Sequence, residues 1–575
     1  MKFQKRWLIE GTLTTRTPLR IGDGGTTKRQ RLMNKQTTDG QAGRHVEIAS
    51  VAVDASRRTH LPASTVKSCV KAWARGRGMP LRTVEILFGS DDPDERRLPT
   101  GEVFQPVAGK VEFDNSPAEG RREFTHDPPY WCEERWTGVE AAVTLGRRTR
   151  AARDERLFHQ EYVPPGVAYR VTLRVEDTDA DEGVSGERGV AQLLAAMEGF
   201  NAGPDCVTLG SAGEDGRGRL EWRLSSIKYI DRDGIAEWLK QTAPTHWRTA
   251  LKEVDPAEFG RIESEAKRES EALARNGRAG GVPTLALRLE CRDDFLVNDP
   301  TRTNGPGGAG SSAPNHAPLC DIDGNPILPR RSARGAFRAQ AEKILRTLGG
   351  DAAACHADDP QSPCQRRAIS SIKEVINLCP ACRVFGAPGW RSPFRASAFV
   401  AEAAGDGDEA TRTRDFIAVD RFKQSVAVGN KEEVSADGEN RREGSAGMKF
   451  DAKVVRRPIL NGDVGLDLGA LERVGVGLWA IGLLALTVRD LAEGDVRVGF
   501  GRSKGFGDIS ARVTAISALD IGNVPASFRG ELTEADLRNI DPSAARGDLS
   551  ATSFGRLLSA AVEDLHRELG VTPAR

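Results

Sequence analysis

Four of the chain's nine cysteines lie close together, at Cys355, Cys364, Cys379 and Cys382. Their pattern is Cys-x8-Cys-x14-Cys-Pro-Ala-Cys. The closing Cys-x2-Cys gives the tight knuckle that tetrahedral zinc requires, and the long spacer resembles that of zinc fingers. One structural Zn2+ is expected, with His356 as an alternative ligand. Such a metal pins an irregular insertion and performs no reaction. A redox Cys-x-x-Cys is the rival, but no thioredoxin-like strand precedes it. The other cysteines, Cys69, Cys132, Cys206, Cys291 and Cys320, are scattered. No disulfide framework is expected in a reducing compartment.

Two glycine-rich segments, residues 210–218 and 499–507, come next. A dinucleotide loop opens a βαβ unit and leads into a helix. Each of these leads into a strand instead, so that reading is poor. Glycines still let a backbone approach a phosphate chain. Arg217, Arg219, Arg502 and Lys504 supply cations beside them. A solvated tight turn is the plainer reading of one loop, and the second loop tips the balance toward phosphate binding.

A third signal is a Leu-Pro followed by a serine that enters a basic helix. It reads Leu61-Pro62-Ala63-Ser64 and Leu328-Pro329-Arg330-Arg331-Ser332. Ser64 and Ser332 are expected at helix N-termini, where unpaired N–H groups attract anions. Lys67, Lys71, Arg334 and Arg338 lie in the first two turns. Ordinary capping with a solvated helix face is the alternative.

The Leu-Pro and glycine-rich signals, unlike the cysteine cluster, occur twice in the same order, too far apart for a solenoid period. An apolar-Phe-Gly follows each helix, as Ile86-Leu87-Phe88-Gly89 and Arg383-Val384-Phe385-Gly386. Alternating residues at 7–15 and 284–291 predict a strand at the start of each copy. Helices are expected over 65–77 and from about residue 332 to 348. Residues 235–251 and 256–276 read as a charged helical connector. Short, few helices between strands favour an α+β fold with antiparallel sheets. The expected division is a first domain at 1–235, a connector at 236–282, a second domain at 283–525 with the cysteine knuckle at 355–382, and a helical tail at 526–575.

The ordered set resembles the RAMP superfamily. More narrowly, it resembles the backbone subunits of type III CRISPR effector complexes, in a fused two-domain form. The resemblance implies tandem ferredoxin-like (modified RRM) domains, each with a β-hairpin thumb. It implies subunits that hold a guide RNA (crRNA) in a filament and cut the paired target RNA at intervals. Other subunits of the effector complex are then implied partners. The thumbs fall at residues 145–157, with Arg147, Arg148, Arg150, Arg153 and Arg156, and after Val419-Asp420-Arg421-Phe422. Such an arm can wedge between bases while its arginines hold phosphates.

Active members of the family carry an Asp in the loop after the first strand. It promotes attack of the target 2′-hydroxyl on the adjacent phosphate, assisted by a divalent cation such as Mg2+. The family position reads 46–50 in copy one and 313–317 in copy two, where copy two has no carboxylate. Asp23 and Asp299 are the first candidates, with Glu47 and His316 second. Each also reads as an ordinary turn or solvated residue. A scaffold that binds without cutting is the alternative, as is a guide-processing endoribonuclease of the same superfamily.

The 82 basic and 82 acidic residues cancel, so global charge argues for neither nucleic acid nor membrane. No apolar run is long enough to span a bilayer; the best, residues 474–491, is interrupted by Gly, Thr, Arg and Asp. The N-terminus has no apolar leader. A cytoplasmic location is expected.

Overall fold

The computed structural model describes residues 3–30, 45–90, 108–124, 131–145, 152–178, 186–202, 206–211, 217–241, 246–275, 284–299, 314–321, 323–356, 362–366, 369–402, 410–417, 449–516 and 553–571. It also describes short stretches at 128, 184, 419–420, 422, 424–426, 433–434, 440–441 and 528.

In the first copy the strand Phe3–Thr15 is central to a sheet, between Val167–Thr178 and Leu220–Asp231. Ser116–Arg121 pairs beyond Val167–Thr178, and these pairings are antiparallel. Helices Ala63–Gly76 and Leu81–Phe88 follow the first strand, and Gly186–Met197 follows the third. The chain order is therefore β-α-β-β-α-β, with the strands arranged fourth, first, third, second. In the second copy Thr284–Cys291 lies between Ile459–Leu466 and Ile509–Ile516. Phe399–Ala401 and Ile327–Leu328 extend the sheet, and helices Arg330–Gly349 and Trp479–Glu493 complete the same order.

Each copy has its own core. Val66, Val70 and Trp73 share one face of the Ala63–Gly76 helix and pack with Trp7, Leu13 and Tyr169 of the sheet. In the second copy Ala333, Phe337 and Ala341 pack with Phe394 and Phe399. Helical spacing above and alternation below supply the two faces. The connector helix Pro256–Arg275 places Ile262, Ala266 and Leu273 in the first core, so it belongs to that body. The tail helix Ser553–Glu568 likewise brings Leu565 into the second core. It lies so close to Gly482 that an added Cβ there would come within 2.3 Å of the Ala561 carbonyl.

Both signature helices start earlier than expected. Pro62 and Pro329 are the N-caps, while Ser64 and Ser332 lie inside the helices and cap nothing. Pro suits this place because it has no N–H to leave unpaired and its fixed φ suits the extended entry. In copy one the first helical N–H, from Ala63, donates to Asn115 Oδ1 at 2.9 Å.

Each copy carries an arm. In the first, Gly22–Gln30, His45–Val51, Ala152–Tyr162 and Gly138–Leu145 form a separate sheet. In the second, Asp294–Phe295, Lys449–Arg456 and Thr411–Ile417 do so. Among the described residues, no helix is long and apolar enough to cross a membrane.

Candidate nucleic-acid interface and metal centre

The two arm roots are built on one hydrogen-bond frame. Ala52 N–H donates to Ile21 O, and Leu319 N–H donates to Val297 O, both at 2.8 Å. Ser211 N–H donates to Arg20 O at 2.9 Å, and Phe500 N–H to Leu296 O at 2.6 Å. Gly218 N–H donates to Pro18 O, and Gly507 N–H to Asp294 O, both at 2.9 Å. Ala49 pairs with Gln160 as His316 pairs with Ala452, in parallel. Asp23 and Asp299 therefore occupy equivalent positions.

The frame explains the glycines. A Cβ at Gly218 would lie 1.8 Å from Leu209 O, and one at Gly507 would lie 1.7 Å from Val498 O. Both have positive φ. The loops are glycine-rich at these points because each closes tightly on its own strand. That need arises inside the protein and requires no phosphate chain.

Asp23 is exposed. Its Oδ1 accepts from Ser50 Oγ at 2.5 Å and from Gly25 N–H at 2.8 Å. The Ser50 hydrogen bond holds its carboxyl below the usual carboxylate range, against a smaller opposing effect of burial. Asp299 is only 1% exposed, and its N–H donates to Ala317 O at 2.8 Å. The two candidate carboxylates therefore differ, Asp23 open to solvent and Asp299 buried.

The match to a family model follows the same duplication. The model for the RAMP superfamily matches residues 12–213 and again 299–510. The chain belongs to the RAMP superfamily. No curated protein matches it. Membership points to a CRISPR-associated RNA-binding role, and the two matched regions correspond to two RAMP domains.

Several cations expected to face RNA turn inward. Lys67 Nζ donates to Val111 O at 3.3 Å, and burial lowers its pKa. Arg334 donates to Phe385 O at 3.0 Å. Arg338 bonds Glu342 at 2.8 Å, Gly386 O at 3.1 Å and Cys382 Sγ at 3.3 Å. Arg217 is buried against Glu140. The first helical turns face their own sheet and Phe-Gly turn, so these side chains hold the fold together. Ser64, Ser332 and Lys504 are exposed, while Lys71, Arg219 and Arg502 are half-buried. Phe422, at the start of the second arm, is 100% exposed. Arg147, Arg148, Arg150 and Arg421 lie outside the described residues, as do the side chains of Glu47, Arg153 and Arg156.

The second arm root holds a cluster that the motifs did not reveal. Phe416 stacks on Phe450 with centroids 5.1 Å apart, and His316 lies 4.5 Å from Phe500 and 5.9 Å from Phe450. Lys504 Nζ stands 4.5 Å from the Phe450 centroid and 5.4 Å from that of Phe500. Burial, and then Lys504, lower the His316 pKa. The signal was the register of the repeat, which becomes readable only once the loops are aligned in space.

The cysteines come together as their spacing predicts. The four Sγ atoms lie within 4.8 Å of one another, and Cys355 Sγ is 3.5 Å from Cys382 Sγ. Zn–S bonds of about 2.3 Å put tetrahedral sulfurs roughly 3.8 Å apart, so the set fits a metal of that kind. Cys355 N–H points at Cys379 Sγ at 3.4 Å and Cys379 N–H at Cys364 Sγ at 3.3 Å, while Arg338 approaches Cys382. Donors of this kind orient and stabilise thiolates. Hydrogen bonds within the set draw Cys379 and Cys364 down, Cys364 to about 7, and push Cys355 and Cys382 up. A bound Zn2+ would hold all four as thiolates. His356 follows Cys355 directly and is not one of the four clustered donors.

Proposed function

We propose that the chain is a fused double backbone subunit of a type III CRISPR effector, holding guide RNA along both RAMP domains and presenting target RNA for cleavage. The observation that carries this is the duplicated arm root, built on one hydrogen-bond frame in each of the two copies whose larger part the superfamily model matches. The β-α-β-β-α-β order supports the ferredoxin-like reading of each domain. Exposed Lys504, Phe422, Ser64 and Ser332 remain the described candidates for RNA contact, with phosphates positioned by the cation and a base stacked on the aromatic ring.

In the first domain Asp23 is the proposed catalytic residue. It stays ionised at neutral pH and is poised to accept the 2′-hydroxyl proton of the target. The 2′-oxygen then bonds to the adjacent phosphorus as the bond to the 5′-oxygen breaks, the 5′-oxygen taking a proton from water, leaving a 2′,3′-cyclic phosphate and a 5′-hydroxyl. A Mg2+ held jointly by this carboxylate and RNA phosphates would neutralise charge on the phosphate. Burial of Asp299 favours a different role for the second domain, binding without carboxylate catalysis. The four cysteines are proposed to hold one structural Zn2+.

The test loads the full chain, alone and within its assembled complex, with guide RNA and offers complementary RNA with Mg2+. Cleavage that Asp23→Ala abolishes at one position supports the reading. Intact target beside normal guide binding leaves only a scaffold.

A further inference from the structure

The two domains meet where the first arm reaches the second signature helix. Arg331, in the first turn of Arg330–Gly349, donates to Gln160 Oε1 at 2.9 Å and lies 3.8 Å from Glu140. Arg122 lies 3.1 Å from Asp323, in the turn before that helix. One face of the joint thus presents Arg331 and Asp323, and the other presents Glu140, Gln160 and Arg122.

Because the domains are repeats, each face has a counterpart elsewhere on the chain. Asp54 Oδ1 accepts from the N–H groups of Ser56 and Arg58 at 2.8 and 3.0 Å. Asp321 Oδ1 accepts from those of Asp323 and Asn325 at 2.9 and 2.8 Å. Pro62 follows Arg58, and Pro329 follows Asn325, at the same interval. Ser56 therefore stands where the joint has Asp323, and Ser64 where it has Arg331. In the arms, Glu140 pairs with Gln160 as Arg414 pairs with Ala452. The second arm thus has an arginine in place of Glu140 and a buried alanine in place of Gln160.

These counterparts do not repeat the joint. The first domain's helix start offers an exposed serine in place of the cation, and the second arm offers a cation in place of the carboxylate. Arg414 lies on Thr411–Ile417, the edge strand of its sheet among the described residues. Its Nε is 3.3 Å from the buried Asp294 carboxylate, and 40% of its side chain is exposed. A guanidinium has five donors, so this one can also meet a carboxylate from outside.

We infer that the edge strand of the second arm is a docking face for a different protein chain, whose helix start carries a carboxylate where Arg331 stands in the internal joint. Two copies of this chain accordingly do not join end to end. This rests on the reading that the chain lines up along a guide RNA. A face selects its neighbour by what it refuses as well as by what it accepts. Here Ser64 gives Arg414 no charge to meet, and a second arginine like Arg331 would be repelled.

The test uses the full chain with guide RNAs long enough for one copy or for two, and reads assembly by sedimentation. The unaltered chain is expected to stay single in solution and to fill the two places independently. Ser64→Glu puts a carboxylate in the exposed first turn of a helix, where the dipole favours it. It is expected to make a second copy bind about 3-fold more tightly beside the first. Arg414→Ala in the same chain should abolish that gain, while Arg412 still pairs with Asp294 at 2.7 Å. The ratio between the two guides cancels any direct effect of either residue on RNA. A second measurement needs no RNA. Arg331→Ser with Asp323→Ser gives the internal joint the serines of the first domain's face, and solution scattering should then show the two domains moving apart. The proposal is overturned if the unaltered chain builds end-to-end ladders, if Ser64→Glu gains nothing, or if the serine variant keeps its joint. A chain that binds no guide overturns the guide-binding reading, and sedimentation without RNA together with scattering then decides this one.

Discussion

The two RAMP domains share the skeleton of the arm root and differ in what fills it. In the first, an exposed carboxylate is held by Ser50, and the glycine loop is tied to the arm by Arg217 and Glu140. In the second, the carboxylate is buried, and phenyl rings, His316 and Lys504 replace the ion pair. A backbone frame that survives such exchange is set by its glycines and hydrogen bonds, not by the side chains it carries. One backbone frame thus carries two different sets of side chains.

The helical side of the domains differs even more. Copy one passes from Ala63–Gly76 to Leu81–Phe88 through a short turn. Copy two inserts the cysteine knuckle at the same point, yet Gly89 and Gly386 end the two turns with the same φ of 86°. Removing the metal proposed for the knuckle should therefore break one domain and spare the other. Chelation, or Cys382→Ser, is expected to release one zinc per chain and to melt the second domain well before the first. Structural zinc contributes on the order of 10 kcal/mol in small sites. Elemental analysis with calorimetry checks both points, and a chain without zinc that melts as one unit would remove the comparison.

Asp23→Ala gives the next largest effect. It should lower the cut proposed for the first domain by about 100-fold or more while guide binding stays unchanged. The Asp23 carboxyl is held below its reference value of 3.8 by Ser50. The support its charge gives the turn is therefore complete above that value and fades as pH falls through the lower folded-state value. The first domain's cut should accordingly show no acid limb from Asp23 between pH 5 and pH 8. A product ladder across that range tests this, and loss of guide binding alongside the cut would deny Asp23 a catalytic role.

Glu140 ties the copies together. It pairs with Arg217 of its own domain and lies 3.8 Å from Arg331 at the helix start of the second. Arg331 also donates to Gln160 at 2.9 Å. Glu140→Ala leaves the buried Arg217 cation without its carboxylate, at a cost of about 3 kcal/mol. Adding Arg217→Met should recover much of this, because an uncharged pair leaves no buried ion. Denaturant titration of the single and double variants measures the coupling, and additive losses would show that the two side chains act separately.

What could be read from the sequence follows from how local each signal is. The cysteines, the doubled order of motifs and the first strands rest on short-range spacing, and the structure places them as that spacing implies. The inward turn of Lys67, Arg334 and Arg338 was not legible, because a basic helix turn looks the same whether its sheet or an RNA lies opposite. The equivalence of Ala49 with His316 was hidden for another reason. Loops of unequal length separate each from the preceding strand, and only the pairings with Gln160 and Ala452 fix the register.

The smallest effect concerns the two helix starts. Both helices begin at a proline, but the cap is supplied differently. In copy one Asn115 accepts from Ala63 N–H, across from the second strand of the sheet. In copy two Arg330 at the same place donates to Ala396 O at 2.7 Å, so the helix is anchored through a side chain instead. Asn115→Ala removes one acceptor from an otherwise free helix end and should cost about 1 kcal/mol. Arg330→Ala should cost a similar amount or more, because a charge-assisted bond to the carbonyl of the buried Ala396 is lost. If the two losses appear in separate unfolding transitions, each anchor serves its own domain. A single shared transition would mean that the Glu140–Arg331 contact couples the domains more tightly than their separate cores suggest.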